Sequence, residues 1–313
     1  MKEKKKYSID KSPLYLLKSK RKLAAILFVS QNDLSLLVSD SLYNVFYKKV
    51  KNKLRLIEEP IGLRKKVHKR LLNILSRIET PNYLFSGKKG LSFVDNARYH
   101  VKNDYFLLLD IESFYLNSSK EYIFRFFHYV LKMSQDVAWL LSDIVTIKGH
   151  IPTGSPLSQI LAYFTYSKLF DNIYRISQEK GIKFSLYVDD ISLSSKNPIP
   201  KNFHIHINFL LKQVGHNLKR EKIKYYSKRY YKRITGTIIT PSHNLSVPNN
   251  KQKKIFDLKS NLKNGKDIQE SSLFRLLGLI RYAQQVNPSF YSELYKKLNI
   301  KGKALSKGLN PKA

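Results

Sequence analysis

Asp189 and Asp190 stand side by side in the stretch Lys183-Phe184-Ser185-Leu186-Tyr187-Val188-Asp189-Asp190-Ile191-Ser192-Leu193-Ser194. Adjacent carboxylates repel, so the pair is costly unless a cation compensates it. A hard, oxygen-seeking divalent metal is the natural candidate. The bland alternative is an acidic turn in water, for which Asp is a good former. A third carboxylate, Asp110, ends the apolar run Tyr105-Phe106-Leu107-Leu108-Leu109. Three carboxylates converging on one sheet edge would hold two magnesium ions, which activate an attacking hydroxyl and stabilise a leaving oxygen in phosphoryl transfer.

Convergence depends on the elements that carry these residues. Phe184, Leu186 and Val188 alternate before the acidic pair, and Ile191 and Leu193 after it, which predicts a tight β-hairpin with both aspartates at its tip. The run before Asp110 predicts a strand buried on both faces. Between them, Ser118-Ser119-Lys120-Glu121 reads as a capping box opening a helix with Ile123, Phe126, Phe127 and Val130. Ile151 to Ser158 is a Pro/Gly/Ser loop, and Pro156 suits the first position of a second long helix. Residues from about 12 to 50 read as helical, with a start signature at Ser30-Gln31-Asn32-Asp33. Val50 to Pro60 reads as strand and turn, Leu63 to Ile78 as a basic amphipathic helix, and 241–250 as a linker to a basic helical C-terminal region.

The composition narrows the partners. The 313 residues carry a formal net charge of +34, which no globular fold requires and which points to a polyanion. Apolar runs are too short to span a bilayer, so nucleic acid is favoured over membrane. Lysine supplies most of the charge, and as a point charge it suits phosphates better than base edges. With no cysteine there are no disulfides or thiolate zinc sites, which fits a reducing cytoplasm. His204-x-His206 lacks the further ligands that zinc would need.

Asp110-Ile111-Glu112-Ser113-Phe114-Tyr115, Ile151-Pro152-Thr153-Gly154-Ser155-Pro156 and Tyr187-Val188-Asp189-Asp190 resemble successive motifs of reverse transcriptases. Asn96-Ala97-Arg98-Tyr99-His100 looks like the Asn-Ala-x-x-His signature of retron reverse transcriptases, and Ile234-Thr235-Gly236 like their Val-Thr-Gly. The run from Leu277 to Pro288 also resembles retron thumbs. The resemblance implies an α+β, right-hand polymerase fold: fingers, a palm built on an antiparallel sheet packed against helices, and a helical thumb. On that division residues 1–50 are an N-terminal helical extension, 51–240 fingers and palm, and 241–313 a basic thumb.

It further implies an RNA-directed DNA polymerase, with Asp110, Ile111, Asp189 and Asp190 holding two Mg2+ ions, for which Mn2+ could substitute. Lys222 resembles the general acid for the departing pyrophosphate, with Lys219 as an alternative. Tyr115 matches the aromatic residue beneath the incoming sugar that excludes a 2′-hydroxyl. Thr153, where the family often has glutamine, and Gly154 would line the deoxynucleotide site with Lys53 and Arg55. Arg64, Asn96, His100, Thr235, Gly236, Arg275 and Arg281 are the candidate RNA contacts. The partners implied are a structured non-coding RNA, deoxynucleoside triphosphates, a branched RNA-linked DNA product (msDNA) primed from a guanosine 2′-hydroxyl, and a separate effector protein in bacterial, cytoplasmic anti-phage defence. Another bacterial defence or intron-type reverse transcriptase, or a catalytically idle RNA-binding scaffold, are the alternatives.

Overall fold

In the computed structural model, which describes residues 5–50, 53–263 and 270–305, apolar alternation becomes strand and the wider apolar stripes become helix. Helix α1 (Lys20–Leu27) ends where Phe28 turns left-handed at φ +60°. Before α2 (Asp33–Leu36), Ser30 and Asp33 exchange hydrogen bonds of 2.7–3.1 Å, as the start signature predicts. The helical reading holds only for these two short helices: residues 12–19 run as turns and irregular chain, and beyond α2 it fails. Tyr43, Val45, Phe46 and Tyr47 are good strand formers, and they lie in β1 (Tyr43–Val50), antiparallel to β2 (Lys53–Pro60) with Tyr43 opposite Pro60 and Val50 opposite Lys53.

Helix α3 (Gly62–Leu75) buries Val67, Leu71, Ile74 and Leu75. Helix α4 (Phe93–His100) opens on a capping box between Ser92 and Asp95, and β3 (Tyr105–Asp110) follows. The box expected at Ser118 does not form: Ser119 caps α5 (Lys120–Arg125) without a side-chain hydrogen bond, and the Ser118 hydroxyl donates to Phe114 O. Helix α5 widens into a π-helical turn, Phe126–Val130, in which the neighbours Phe126 and Phe127 are both buried. Then come α6 (Gln135–Val145), α7 (Ser158–Thr165) and α8 (Ser167–Gln178). The single helix expected from Pro156 is thus two, beginning at Ser158 and broken at Tyr166.

The hairpin of β4 (Lys183–Tyr187) and β5 (Asp190–Ser195) has the expected place. It precedes α9 (Phe203–Lys212), β6 (Lys224–Tyr226), β7 (Lys232–Ile234), β8 (Thr237–Ile239) and β9 (Leu245–Ser246). Strand β9 pairs with β8 inside what the sequence reads as a linker. Helices α10 (Asn249–Lys263), α11 (Glu270–Val286) and α12 (Ser292–Leu305) complete the described chain. Strand order is β4-β5-β3-β6 in a four-stranded sheet and β7-β8-β9 in a three-stranded one.

The described residues divide into two compact units. One gathers the chain up to Leu91, Leu107–Leu193 and Ile199–Lys224; the other gathers Ser92–Phe106, Ser194–Pro198 and the chain from Tyr225 on. The breaks expected at 50 and 240 do not coincide with these units. In the first unit Leu107, Leu109, Phe184, Leu186, Ile191 and Leu193 form a dry sheet interior. The second has its own core of Val94, Val247, Ile255, Leu276, Ile280, Ala283 and Val286. No described helix is long and apolar enough to cross a membrane.

Candidate active site

Main-chain hydrogen bonds, not side-chain contacts, bring the three carboxylates together. Ile111 N donates to Asp189 O at 2.9 Å, so the residue after Asp110 is tied to the hairpin tip. Lys219 N donates to Asp110 O at 2.9 Å and Glu112 N to Asn217 O at 2.8 Å, which ties the other side to the segment carrying Lys222. The tip is Val188-Asp189, with Asp190 already in β5. Val188 has φ +59°, a left-handed conformation that a β-branched residue rarely takes. Its N–H donates to Ser86 Oγ at 2.9 Å, and Leu186 is bonded to Tyr83 and Phe85 on the edge beside it.

Among the described residues the cluster is short of positive charge. Burial, with Asp189 and Asp110 adding to it against an opposing Lys222, pushes the Asp190 carboxyl up to about 7. Asp189 is raised by burial and then by Asp110, while its backbone hydrogen bond, Lys222 and Arg55 work the other way. The Lys222 ammonium donates to Asp110 Oδ2. Burial opposes its charge, but that hydrogen bond and the fields of all three aspartates leave it above its ordinary value. The Tyr115 phenol is raised by burial, with Asp189 and Tyr187 adding to it, and its ring stacks on Phe114 at 5.9 Å.

Among the described residues no three acidic or imidazole side chains form a ready-made metal cage. The donor set is nevertheless the one that hard divalent cations take, carboxylate oxygens and no sulfur or imidazole. Two of these carboxylates hold a proton above their ordinary range, so a cation would relieve an imbalance already present. The residues fit such an ion.

The Gly154 loop is fastened to β2. Gly154 N donates to Glu58 O at 3.2 Å, and a Cβ on Gly154 would lie 2.9 Å from that oxygen, so only glycine fits there. Thr153 Oγ1 donates to Leu56 O at 2.7 Å, and Thr153 N donates to a Glu58 carboxylate oxygen at 3.2 Å. Glu58, 2% exposed, also binds His150 Nε2 at 2.9 and 3.1 Å. Sequence reasoning overlooks Glu58; its one signal is the acidic pair Glu58-Glu59 at the end of a strand that begins with Lys53 and Arg55. Beneath the loop, burial lowers His68 to about 4, leaving it neutral. Its Nε2 is 2.9 Å from Ile144 O, an acceptor only, so Nε2 carries the proton and Nδ1 accepts from the Ser155 hydroxyl at 2.7 Å. Lys53 and Arg55 are exposed on β2, and Arg55 reaches Asp189 electrostatically.

Arg64 is a correction. Rather than facing a nucleic acid, it is fully buried, donating to the carbonyls of Ser39, Asp143, Ile144 and Thr146 at 2.7–3.2 Å and stacking 4.4 Å from the Tyr43 ring centroid. It shares the inner face of α3 with Val67, His68 and Leu71.

In the second unit Asn96 and Thr235, from the two signature segments, meet each other. Asn96 Nδ2 donates to Thr235 Oγ1 at 3.4 Å, which in turn donates to Phe93 O at 3.0 Å. Tyr282 stacks on Phe93, with centroids 5.0 Å apart, and its hydroxyl donates to Gly236 O. Gly236 sits at φ +104°. His100 pairs with Ser194 Oγ at 2.6 Å, an oxygen that also accepts from Asn103. Asn96 and His100 are fully buried, so they are placed as internal ties. Arg275 and Arg281 are exposed on α11.

Residues 47–279 match the family model described as reverse transcriptase (RNA-dependent DNA polymerase). Among curated proteins the chain is similar to the retron Se72 reverse transcriptase of Salmonella heidelberg, 30% identical over 134 residues. It is similar also to the retron Ec83 and Ec86 reverse transcriptases of Escherichia coli, at 23% over 260 residues and 27% over 157. The matches cover 43%, 78% and 50% of this chain, and 35%, 82% and 49% of the respective relatives. The alignments to Se72 and Ec86 therefore span half or less of those relatives. A solved telomerase from Candida albicans overlays 81% of this chain and 56% of its own with a TM-score of 0.47 at 11% identity.

Proposed function

Since the chain belongs to the reverse transcriptase family, and within it is of the retron type, we propose that it copies part of a structured RNA into DNA at the site built on Asp110, Asp189 and Asp190. The observation that carries this reading is the main-chain junction at Ile111 and Lys219, which holds Asp110 beside the Val188-Asp189 tip and within reach of Lys222. In this reading β1, β2 and α3 are the fingers, the four-stranded sheet and its helices the palm, and α10 to α12 the thumb.

Asp110 and Asp189, with Ile111 beside them, would hold two divalent ions, Mg2+ or substituting Mn2+, and Asp190 would tune the site. When bound, such ions lower the pKa of the attacking hydroxyl and stabilise the leaving oxygen. Lys222, kept protonated by the carboxylates around it, is the proton donor for the departing pyrophosphate. Tyr115, a neutral ring backed by Phe114, would stand as the wall beneath the sugar and favour deoxynucleotides. Lys53 and Arg55 would meet the triphosphate from β2, while Thr153 and Gly154 hold that strand at the right distance. Arg275 and Arg281 would meet RNA phosphates on the thumb.

The retron resemblance extends the proposal: priming from a guanosine 2′-hydroxyl, a branched RNA-linked msDNA product, and anti-phage defence in the bacterial cytoplasm with a separate effector. The test is Asp189→Asn with Asp190→Asn. DNA synthesis should fall by about a thousandfold or more while RNA binding persists, and nucleic acid co-purifying with the wild-type chain should contain DNA covalently joined to RNA. Unchanged synthesis in the double variant would sink the assignment.

A further inference from the structure

The turn between β6 and β7, in the second unit, shows aromatic rings to solvent and a cation to the interior. From Tyr225 to Thr240 the sequence has four tyrosines, two lysines and two arginines, and no acidic residue. Tyr230 and Tyr231 are 63% and 65% exposed, consecutive large rings standing in water. Lys228, Arg229 and Arg233 beside them are also exposed. Lys232 is the opposite: fully buried, with its ammonium donating to Lys228 O at 3.0 Å and lying 5.6 Å from the Phe106 ring centroid.

Burying an ammonium is expensive unless its hydrogen bonds are met. Here the lysine fixes the carbonyl at the start of the turn, and Tyr230 N closes the turn on Ser227 O at 3.2 Å. Burial still holds the Lys232 ammonium below its ordinary value; Asp104, itself 3.3 Å from His243 Nε2, offsets part of that. Joining two three-residue strands needs neither a buried lysine nor two solvent-facing tyrosines. Aromatic faces set among phosphate-binding cations are what unpaired bases on a phosphate backbone recognise. A duplex, whose bases are already stacked on one another, would use the cations and leave the rings idle.

We propose that Tyr230 and Tyr231 form a stacking platform for unpaired RNA bases, with Lys228, Arg229 and Arg233 meeting the flanking phosphates and Lys232 bracing the turn from below. The choice of RNA over DNA rests on the reading of the chain as a polymerase that works on a structured RNA. The platform is tested in the full chain with Tyr230→Ala and Tyr231→Ala together, against an unstructured RNA oligonucleotide, DNA of the same sequence and a blunt RNA duplex. Affinity for the single-stranded RNA should fall about tenfold or more, with the duplex unaffected, and the paired tryptophan substitutions should restore it. Photo-crosslinking of wild-type protein to 5-bromouridine RNA should map to these two tyrosines.

Wild-type affinity in the alanine variant, equal losses on the duplex, or crosslinks confined to other segments would overturn the platform. An equal loss on single-stranded DNA would overturn its assignment to RNA. DNA synthesis by the wild-type chain on a primed template, measured separately, tests the polymerase reading independently, so either can fail without the other.

Discussion

The aspartates of the first unit and the Asn96, His100 and Thr235 side chains of the second are polar groups partly or wholly withdrawn from water, but they are satisfied in different ways. Asn96, Thr235 and Phe93 O form one chain of donors and acceptors, and His100 meets Ser194. Among the described residues the aspartates have too little positive charge around them, with one hydrogen-bonded ammonium and Arg55 acting at longer range against three carboxylates. A closed network contributes stability and specificity. An under-compensated one keeps its capacity for a ligand and weakens the fold that carries it. Motif residues therefore divide into those that define the scaffold and those left open for chemistry.

The strongest way to break this comparison is to remove the closed network. Asn96→Ala together with His100→Ala should cost roughly 2–4 kcal/mol in a urea titration, because buried partners are left unmet. RNA affinity per folded molecule should not change. Lost RNA affinity at unaltered stability would show instead that these side chains contact RNA.

The open cluster should behave in the opposite sense. In the folded protein Asp190 titrates at about 7, against an ordinary value of 3.8. Between those values the folded state binds more protons than the unfolded one, so this group's stability is present at low pH and is lost as pH rises through 7. In metal-free buffer Asp190→Asn should remove that slope and melt above the wild type at pH 8 but not at pH 4. Added magnesium should narrow the gap. A variant that melts lower throughout would mean the carboxylate is a structural tie like His100. The smallest expected effect belongs to Thr153→Val, which removes one hydroxyl bond to Leu56 O and should cost about 1 kcal/mol. The Michaelis constant for deoxynucleotide should rise modestly, since only the seating of β2 is loosened. A large loss of turnover would show that Thr153 touches substrate directly.

Much of this was legible in the residues. The Asp110 strand, the hairpin at 183–195, helix α3 and the tight Gly154 loop all follow from local patterns of apolar residues, glycine and proline. What stayed hidden was decided by pairing or packing. Strand β1 was hidden because the apolar spacing of Leu34, Leu36 and Leu37 reads as helix that runs on, and Lys51-Asn52 contains none of the glycine that marks a hairpin. Arg64 lies in a run with Lys65 and Lys66, and composition cannot tell which cation of such a run turns inward. The π-helical turn after α5 is silent in the sequence, because Ile123, Phe126, Phe127 and Val130 keep the i, i+3, i+4, i+7 spacing of an ordinary helix. Glu58 gave no periodic signal, and its role appears only with the loop packed against it.

The left-handed Val188 has a consequence for how the site comes into being. Such a backbone persists only where neighbours over-determine it, and here they are Ser86 and the Ile111 junction, from distant parts of the chain. Until those segments arrive, nothing holds the tip in shape, and the aspartates on either side of the junction are free to stay apart. The carboxylate cluster thus depends on contacts between segments far apart in sequence, and a chain lacking them would carry the acidic residues without carrying the site.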